Sequence, residues 1–278
     1  MIKVGITGSG GFIGGNLASH LKAKGFDVRA FTSNEKNQNL IYLNWEDEKQ
    51  IESQFNDLDV LIHCAWLGSD RNSRLNPEIQ KKNITITNSI MKIQRQVGIP
   101  KIIGVGSQDE LKDGEQPWSD HAKISPMSEY AKAKYQTLNM FKENIDNFTW
   151  ARLFSVYGKN DNRDWIITNA VKALKNNSSL TFGECSKFWS LTHVSDISTA
   201  FETILNKNIA GIVNISDINA PSLRNHLELL QRLAKKEIFN FKPNNINERE
   251  ISISSGILEN AGWKVRTNRE EGFLELLE

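Results

Sequence analysis

The chain has 278 residues, enough to bury a substantial core as one large α/β domain or as a main domain with a smaller lobe. Its 34 Lys and Arg balance 33 Asp and Glu, which excludes both the basic field of a nucleic-acid binder and an acidic tail. Two cysteines, Cys64 and Cys185, are too few for a disulfide framework or a four-ligand zinc site, and no apolar run approaches the ~18 residues of a membrane span.

In chain order, KVGITG (Lys3 to Gly8) predicts a buried first strand, with β-branched Val4 and Ile6, that runs into a glycine turn and a helix through Leu17 and Leu21. Gly8, Gly11 and Gly14 stand where the backbone must turn tightly and approach a diphosphate, and the N–H groups of the following helix would hold it without a basic side chain. Their G-x-x-G-x-x-G spacing is one residue off the dinucleotide fingerprint, so context has to support it. Phe26 to Phe31 reads as a second strand, Leu40 to Leu43 as a short third, and Asp47 to Phe55 as a helix. Val60 to Trp66 is a buried strand that enters a polar loop rich in Asn, Arg and Asp, ahead of a long helix from Pro77 to Gln96. Lys101 to Ser107 is another buried strand, and the charged, Gly- and Pro-containing loop from Gln108 to Ser125 is expected on the surface. A helix follows from Met127 to Asn144, opened by Ser125-Pro126, and Phe148 to Phe154 closes this regular alternation as a strand. Such alternation is the sign of parallel βαβ units. Beyond Val156 the pattern loosens: helices near Ile166 to Leu174, Ile197 to Leu205, Leu223 to Leu233 and Glu270 to Leu277, and strands near Leu180, Leu191 and Gly211 to Ser216.

Tyr130 and Lys134 form the sharpest chemical pair. Four residues apart, they share a helix face one turn apart, and an ammonium beside a phenol favours the phenolate. A tyrosine so tuned can exchange a proton with a substrate oxygen, although a solvated lysine beside a packed tyrosine has the same spacing. Ser107, at the carboxyl end of a buried strand, stands at the sheet edge where ligands of open α/β folds sit, and its hydroxyl could bond the same oxygen. His63 and His193 lie among apolar neighbours and read as structural, and His20, His121 and His226 form no metal-ligand spacing.

With glycine turn, Ser107, Tyr130 and Lys134 in this order, the chain resembles the extended short-chain dehydrogenase/reductase family of nucleotide-sugar epimerases, dehydratases and reductases. TGSGGFIGG at the start, IHCAW (Ile62 to Trp66), GSQDE (Gly106 to Glu110), ARLFSVYG (Ala151 to Gly158), HVSDI (His193 to Ile197) and AGW (Ala261 to Trp263) carry the resemblance over nearly the whole length. It implies a Rossmann-type doubly wound α/β sheet, residues 1–154 plus about 188–216, with a small discontinuous substrate lobe from about 155–187 plus 217–278. It also implies roles. Tyr130 would be the acid or base at a sugar carbon, Lys134 would hold the nicotinamide ribose and lower the Tyr130 pKa, Ser107 would orient the sugar oxygen, and Asn83 would support the lysine through water. Gly8, Gly11, Phe12, Ile13, Gly14, Thr32, Ser33 and Ala65 would line the dinucleotide.

Departures from the family pattern bear on the reaction. Gln108 and Asp109 replace the Asp-Glu pair of the dehydratases, and an amide cannot protonate a leaving hydroxyl, which argues against 4,6-dehydration. Asp109 is expected to be a loop carboxylate facing water, with a lone base for deprotonation next to a ketone as the alternative. Thr32 and Ser33 stand where NAD enzymes place an acid on the adenosine ribose, so NADP is expected, with Arg29 or Lys36 as partners of its 2′-phosphate and NAD as the alternative if Glu35 supplies the acid. Trp189 replaces an arginine for the substrate diphosphate, leaving Arg152 or Lys187 to take it, and Ser155 replaces an asparagine; both are expected at the substrate with Gln108 and Asp109. The resemblance therefore implies an NADP-dependent reductase of a nucleotide-linked 4-keto-6-deoxysugar, or else an epimerase with tightly held NAD, or a non-catalytic dinucleotide-binding regulator. The first strand starts at Ile2 and leaves no room for a signal peptide, so a cytoplasmic protein is expected, with no nucleic-acid or membrane partner and a homodimer through the helices Pro77 to Gln96 and Met127 to Asn144 as a possible assembly.

Overall fold

A computed structural model describes residues 1–161, 163–243 and 248–278. In chain order its strands are β1 (Lys3–Thr7), β2 (Asp27–Thr32), β3 (Ile41–Tyr42), β4 (Val60–His63), β5 (Lys101–Ser107), β6 (Phe148–Leu153), β7 (Ser155–Tyr157), β8 (Leu180–Phe182), β9 (Leu191–His193), β10 (Gly211–Ile215) and β11 (Phe239–Phe241). The helices are α1 (Phe12–Ala23), α2 (Glu48–Phe55), α3 (Pro77–Val97), α4 (Glu129–Asn144), α5 (Ile166–Asn176), α6 (Val194–Asn206), α7 (Leu223–Ala234), α8 (Ile257–Asn260) and α9 (Arg269–Leu277).

Seven strands form one parallel sheet in the order β10, β6, β5, β4, β1, β2, β3. The chain starts in the middle at β1, winds outward to β3 and returns to β4 on the other side of β1. This is the doubly wound Rossmann-type topology, and its winding reverses between β1 and β4, where such folds open a ligand crevice. Both faces are covered. Val4 and Ile6 pack with Leu17 and Leu21 of α1 and Phe201 of α6 on one side. Phe31, Leu61 and Trp150 pack with Phe55, Ile90 and Phe141 of α2, α3 and α4 on the other. Burial on both faces explains why these strands read as near-continuous apolar runs. A third core joins Leu174 of α5, Leu227 of α7 and Phe273 of α9 beside the parallel pairs β7–β9 and β8–β11. Among the described residues no helix is long and apolar enough to cross a membrane.

Three local readings are corrected. The helix with Tyr130 starts at Glu129 rather than being opened by Ser125-Pro126, because the Ser128 hydroxyl accepts from the Ala131 N–H (3.1 Å) and supplies the cap. The strand from Val60 leaves the sheet after His63, so Cys64 to Trp66 form a wall of the crevice instead. The loop from Gln108 to Ser125 is not a surface loop throughout: Trp118 is fully buried, donates from Nε1 to Lys112 O (2.9 Å), and packs with Leu111, Phe154, Ile251 and Ile253. Its charge and Pro117 mask one aromatic anchor that ties the sheet edge to residues 251–253.

Candidate active site

The glycine turn is built for close approach. Gly8 sits at φ 71°, where a Cβ would lie 2.7 Å from the Ala65 backbone, and a Cβ on Gly14 would lie 2.4 Å from Gly8 O. Gly11, at the head of α1, provides no side-chain cap, which leaves first-turn N–H groups and the positive end of the helix for an anion. The Ser9 N–H to Phe31 O bond (2.9 Å) fastens the turn to the end of β2. From this turn a cleft of about 430 Å³ runs to Thr32 and Ser33 at one end and past Ala65 to Ser107, Tyr130 and Lys134 at the other. Gly8, Gly11, Phe12, Ile13 and Gly14 all line it. The residues present therefore fit a dinucleotide: a cradle closed to any side chain, uncapped helix N–H groups and a polar far end without a carboxylate among its described lining residues.

Ser107, at the end of β5, is set by Glu110. The Glu110 carboxylate accepts from Ser107 N (2.6 Å) and from Trp150 Nε1 (3.0 Å), and faces Arg152 Nε at 3.4 Å, all with no solvent exposure of either charged side chain. Burial pushes the Glu110 carboxyl above its usual range, against the pull of Arg152. Arg152 also donates to Asn214 Oδ1 (3.0 Å), so this buried arginine belongs to the scaffold and is not the expected diphosphate contact. Lys187, the other candidate, is exposed and lines neither cavity of the site.

Tyr130 and Lys134 are both buried on one face of α4. Lys134 Nζ donates to Val105 O (2.8 Å) and lies 3.4 Å from the centre of the Trp66 ring, while it is 5.8 Å from the centre of the Tyr130 ring. Burial draws the Lys134 ammonium down to about 7, opposed by Glu110. Burial likewise pushes the Tyr130 phenol up, and the positive charge that opposes this most is the Arg74 guanidinium, not Lys134. Arg74 Cζ stands 4.1 Å from the centre of the Tyr130 ring. A second cation, Arg74, thus stands nearer the Tyr130 ring than Lys134 does.

Asn83 of α3 is anchored on the loop after β4. Its amide clamps Leu67, accepting from Leu67 N (2.8 Å) and donating to Leu67 O (3.0 Å), and so holds the loop that bears Trp66. Asp109 is not a water-facing carboxylate: Arg74 Nη1 contacts one oxygen at 2.6 Å and Arg249 Nη1 the other at 3.2 Å. Arg29 is also engaged elsewhere, on Gln54 O, Asn56 O and Asp57 (2.8 Å to the carboxylate), and neither it nor Lys36 or Glu35 lines the cleft. His63 shares a hydrogen bond with Thr7 Oγ1 (2.9 Å) and stays neutral, since burial, with Lys134 adding to it, takes it down to about 3.

A second cavity of about 300 Å³ adjoins the cleft, sharing Arg74, Ser107 and Phe154 with it, and is lined by Gln108, Asp109, Ser155 and Trp189. Gln108 Oε1 and Trp189 Nε1 are buried there without a hydrogen-bond partner among the described residues. Trp66, Arg74, Trp165 and Arg249 escape a reading of the sequence. Trp66 follows the small Ala65 at a strand end, a signal of sorts, whereas Arg74 and Arg249 sit in polar segments that look solvated.

Taken together, fold and site define a dinucleotide-binding α/β protein with a serine, tyrosine and lysine on the cleft wall. The chain belongs to the NAD dependent epimerase/dehydratase family, whose pattern matches residues 4–216. It is 27% identical over 290 aligned positions to a putative UDP-glucose 4-epimerase of Methanocaldococcus jannaschii, covering 96% of this chain and 94% of that one. In fold it is similar to the UDP-N-acetylglucosamine 4-epimerase of Methanobrevibacter ruminantium M1 (TM-score 0.84, 20% identity, 99% of this chain and 97% of that). RMD of Pseudomonas aeruginosa, solved with NADPH, is similar to the same degree (TM-score 0.83, 18% identity, 100% and 98%).

Proposed function

We propose that the protein transfers hydride between a bound nicotinamide dinucleotide and a hydroxyl- or keto-bearing carbon of a nucleotide-linked sugar, and that its reaction is NADP-dependent reduction of a 4-keto-6-deoxysugar. The observation that carries the reading is that Ser107, Tyr130 and Lys134 line the same cleft as the glycine turn. When bound, the nicotinamide supplies the hydride. The chain's residues supply the rest. Ser107 orients the sugar oxygen, Tyr130 gives it a proton, and Lys134 meets the ribose hydroxyls. Gln108 is an amide and Asp109 is held between two guanidiniums, so neither serves as the acid of a dehydration. Gln108 Oε1 and Trp189 Nε1, buried and unpartnered, favour a sugar whose hydroxyls satisfy them. Arg249, at the mouth of the substrate cavity, is the cation we assign to the diphosphate, and residues 155–187 with 217–278 the lobe that closes over it. Support for NADP is the run Thr32, Ser33 and Asn34 at the adenosine end, which offers no carboxylate to repel a 2′-phosphate.

A second reading, an epimerase that oxidises and re-reduces one carbon with a dinucleotide that never leaves, is favoured by the relative from Methanocaldococcus jannaschii. The test needs no substrate at first. Purified protein is denatured, any released dinucleotide identified, and the emptied protein titrated with NADPH and NADH. An empty site preferring NADPH, followed by turnover of a 4-ketosugar nucleotide that Tyr130→Phe abolishes without loss of NADPH binding, supports the reductase. Near-stoichiometric retained NAD would overturn it in favour of the epimerase.

A further inference from the structure

Of the cations on the wall of the cleft, Arg74 and Lys134 lie within 6 Å of the Tyr130 ring centre, and their surroundings differ. Lys134 is buried, tied by Nζ to Val105 O (2.8 Å) and roofed by the Trp66 ring at 3.4 Å, a face-on contact that spreads the ammonium charge onto the indole. Trp66 is held in turn, since its Nε1 donates to Gln80 Oε1 (3.0 Å). Arg74 comes from a short turn before α3, and its guanidinium packs over both the Tyr130 ring (4.1 Å) and the Trp165 ring (4.6 Å). Two hydrogen bonds fix its plane: Nε donates to Ser69 O (3.0 Å) and Nη1 to Asp109 Oδ2 (2.6 Å). A guanidinium is suited to this post, because it stacks on aromatic faces, keeps its charge at any working pH and is less strongly hydrated than an ammonium.

We propose that the two cations divide the work assigned to one lysine: Arg74 governs the charge on the Tyr130 oxygen, and Lys134 is left to hold the dinucleotide ribose. The groups around Tyr130 are accounted for element by element. The turn before α3 brings Arg74, the loop after β5 brings Asp109 and, behind it, Glu110, and β5 brings the Ser107 hydroxyl. Lys134 lies one turn along α4, and Trp66 and Trp165 are uncharged neighbours. The two carboxylates disfavour a phenolate and burial does so more, while Arg74 and Ser107 favour it. When the carbonyl carbon takes hydride from the bound dinucleotide and its oxygen takes the Tyr130 proton, the phenol O–H bond would break, the substrate would become an alcohol and the negative charge would stay on the phenol oxygen. That charge arises on a ring already covered by a fixed guanidinium. Arg74 is thus a positioning residue that acts through Tyr130. Asp109, expected to face water, is the anchor that keeps Arg74 in place.

The kinetic part of this inference rests on the hydride-transfer reading; the electrostatic part does not. The deciding experiment follows tyrosinate absorbance with pH in the substrate-free protein, taking Tyr130→Phe as the baseline so that only the Tyr130 step remains. Arg74→Gln is expected to move that step upward by about one pH unit, so that roughly tenfold less phenolate is present at a given alkaline pH. Arg74→Lys, which keeps the charge but not the plane, should recover part of the shift and also guards against a variant that merely misfolds. Lys134→Gln should move the step less than Arg74→Gln does. A larger shift in Lys134→Gln, or none in Arg74→Gln, overturns the proposal. With a turnover substrate, Arg74→Gln should lower kcat more than it raises KM and displace the alkaline limb of the reduction profile upward by the same amount. If no nucleotide sugar is turned over, the functional reading fails while the tyrosinate titration still decides this one.

Discussion

Glu110 shows how much of a site can depend on a residue that never meets a ligand. Its carboxylate occupies the space under β5 so closely that a Cβ on Gly106 would sit 2.9 Å from Oε1, and it fixes the Ser107 backbone from below. Removing it would leave Arg152 buried and unopposed, with Ser107 N and Trp150 Nε1 short of an acceptor. Breaking one side of a buried pair costs about 3–5 kcal/mol, whereas replacing both members by apolar groups of similar size is often neutral. Glu110→Leu is therefore expected to lower the urea midpoint by that equivalent, and Glu110→Leu with Arg152→Met to recover most of it. A loss under about 1 kcal/mol in the single variant would show that the pair does not hold this edge of the sheet.

At the scale of elements, what the sequence discloses is what periodicity and punctuation encode. The strand Lys101–Ser107 is found with the predicted bounds, and the helix from Pro77 ends one residue later than predicted, at Val97, where Gly98 adopts a left-handed φ of 71°. Both have strong local signals: a continuous apolar run in one, and in the other a proline at the start and a glycine at the stop. The short strands β7 and β11 go unread, and Trp118 disappears among the charges of its loop. The site divides in the same way. The glycines are legible by their spacing within one turn, Tyr130 and Lys134 by theirs along one helix, and Ser107 by its place at a strand end. Arg74, Asp109 and Arg249 meet across three separate loops, a contact that no local pattern records. The turn after β1 yields the prediction proper to this scale. Gly14→Ala places a Cβ 2.4 Å from Gly8 O, backbone against backbone with no flexible end to yield. Forcing such a contact costs roughly 1–3 kcal/mol. The expected outcome is a dinucleotide affinity lowered about tenfold or more by fluorescence titration, with Tyr130 ionisation unaltered; full affinity would mean that the turn relaxes and does not set the phosphate distance.

For the whole molecule, the buried titratable groups make stability a function of pH with a definite sign. Lys134 and Lys101 have ordinary values of 10.5, and burial takes them down to about 7 and about 8. Lys101 keeps its place through Nζ bonds to Ile209 O (2.6 Å) and Asn208 Oδ1 (3.0 Å), on the far side of the sheet from the cleft mouth's loops and close to β10. Between about 8 and 10 the unfolded chain holds a proton on each lysine that the folded chain has largely released. The unfolded state then binds more protons, so unfolding free energy rises with pH, by up to about 1.4 kcal/mol per pH unit for each group, and the gain is lost as pH falls through the folded values. Glu110 acts the other way, because its raised carboxyl binds a proton in the folded chain above 4.5, where the unfolded chain has released it. Tyr130 and Tyr157, both raised by burial, join that opposition only above 10. The two lysines, with folded values of about 7 and about 8, set the rise between about 8 and 10. Urea midpoints measured on protein freed of dinucleotide should therefore increase from neutral pH to about 10, and Lys134→Met should flatten the slope by roughly half by removing one of the two protons. A stability that stays level or declines over this range would mean that both ammonium groups remain charged in the folded chain, held by Val105 O and Ile209 O strongly enough to offset their burial.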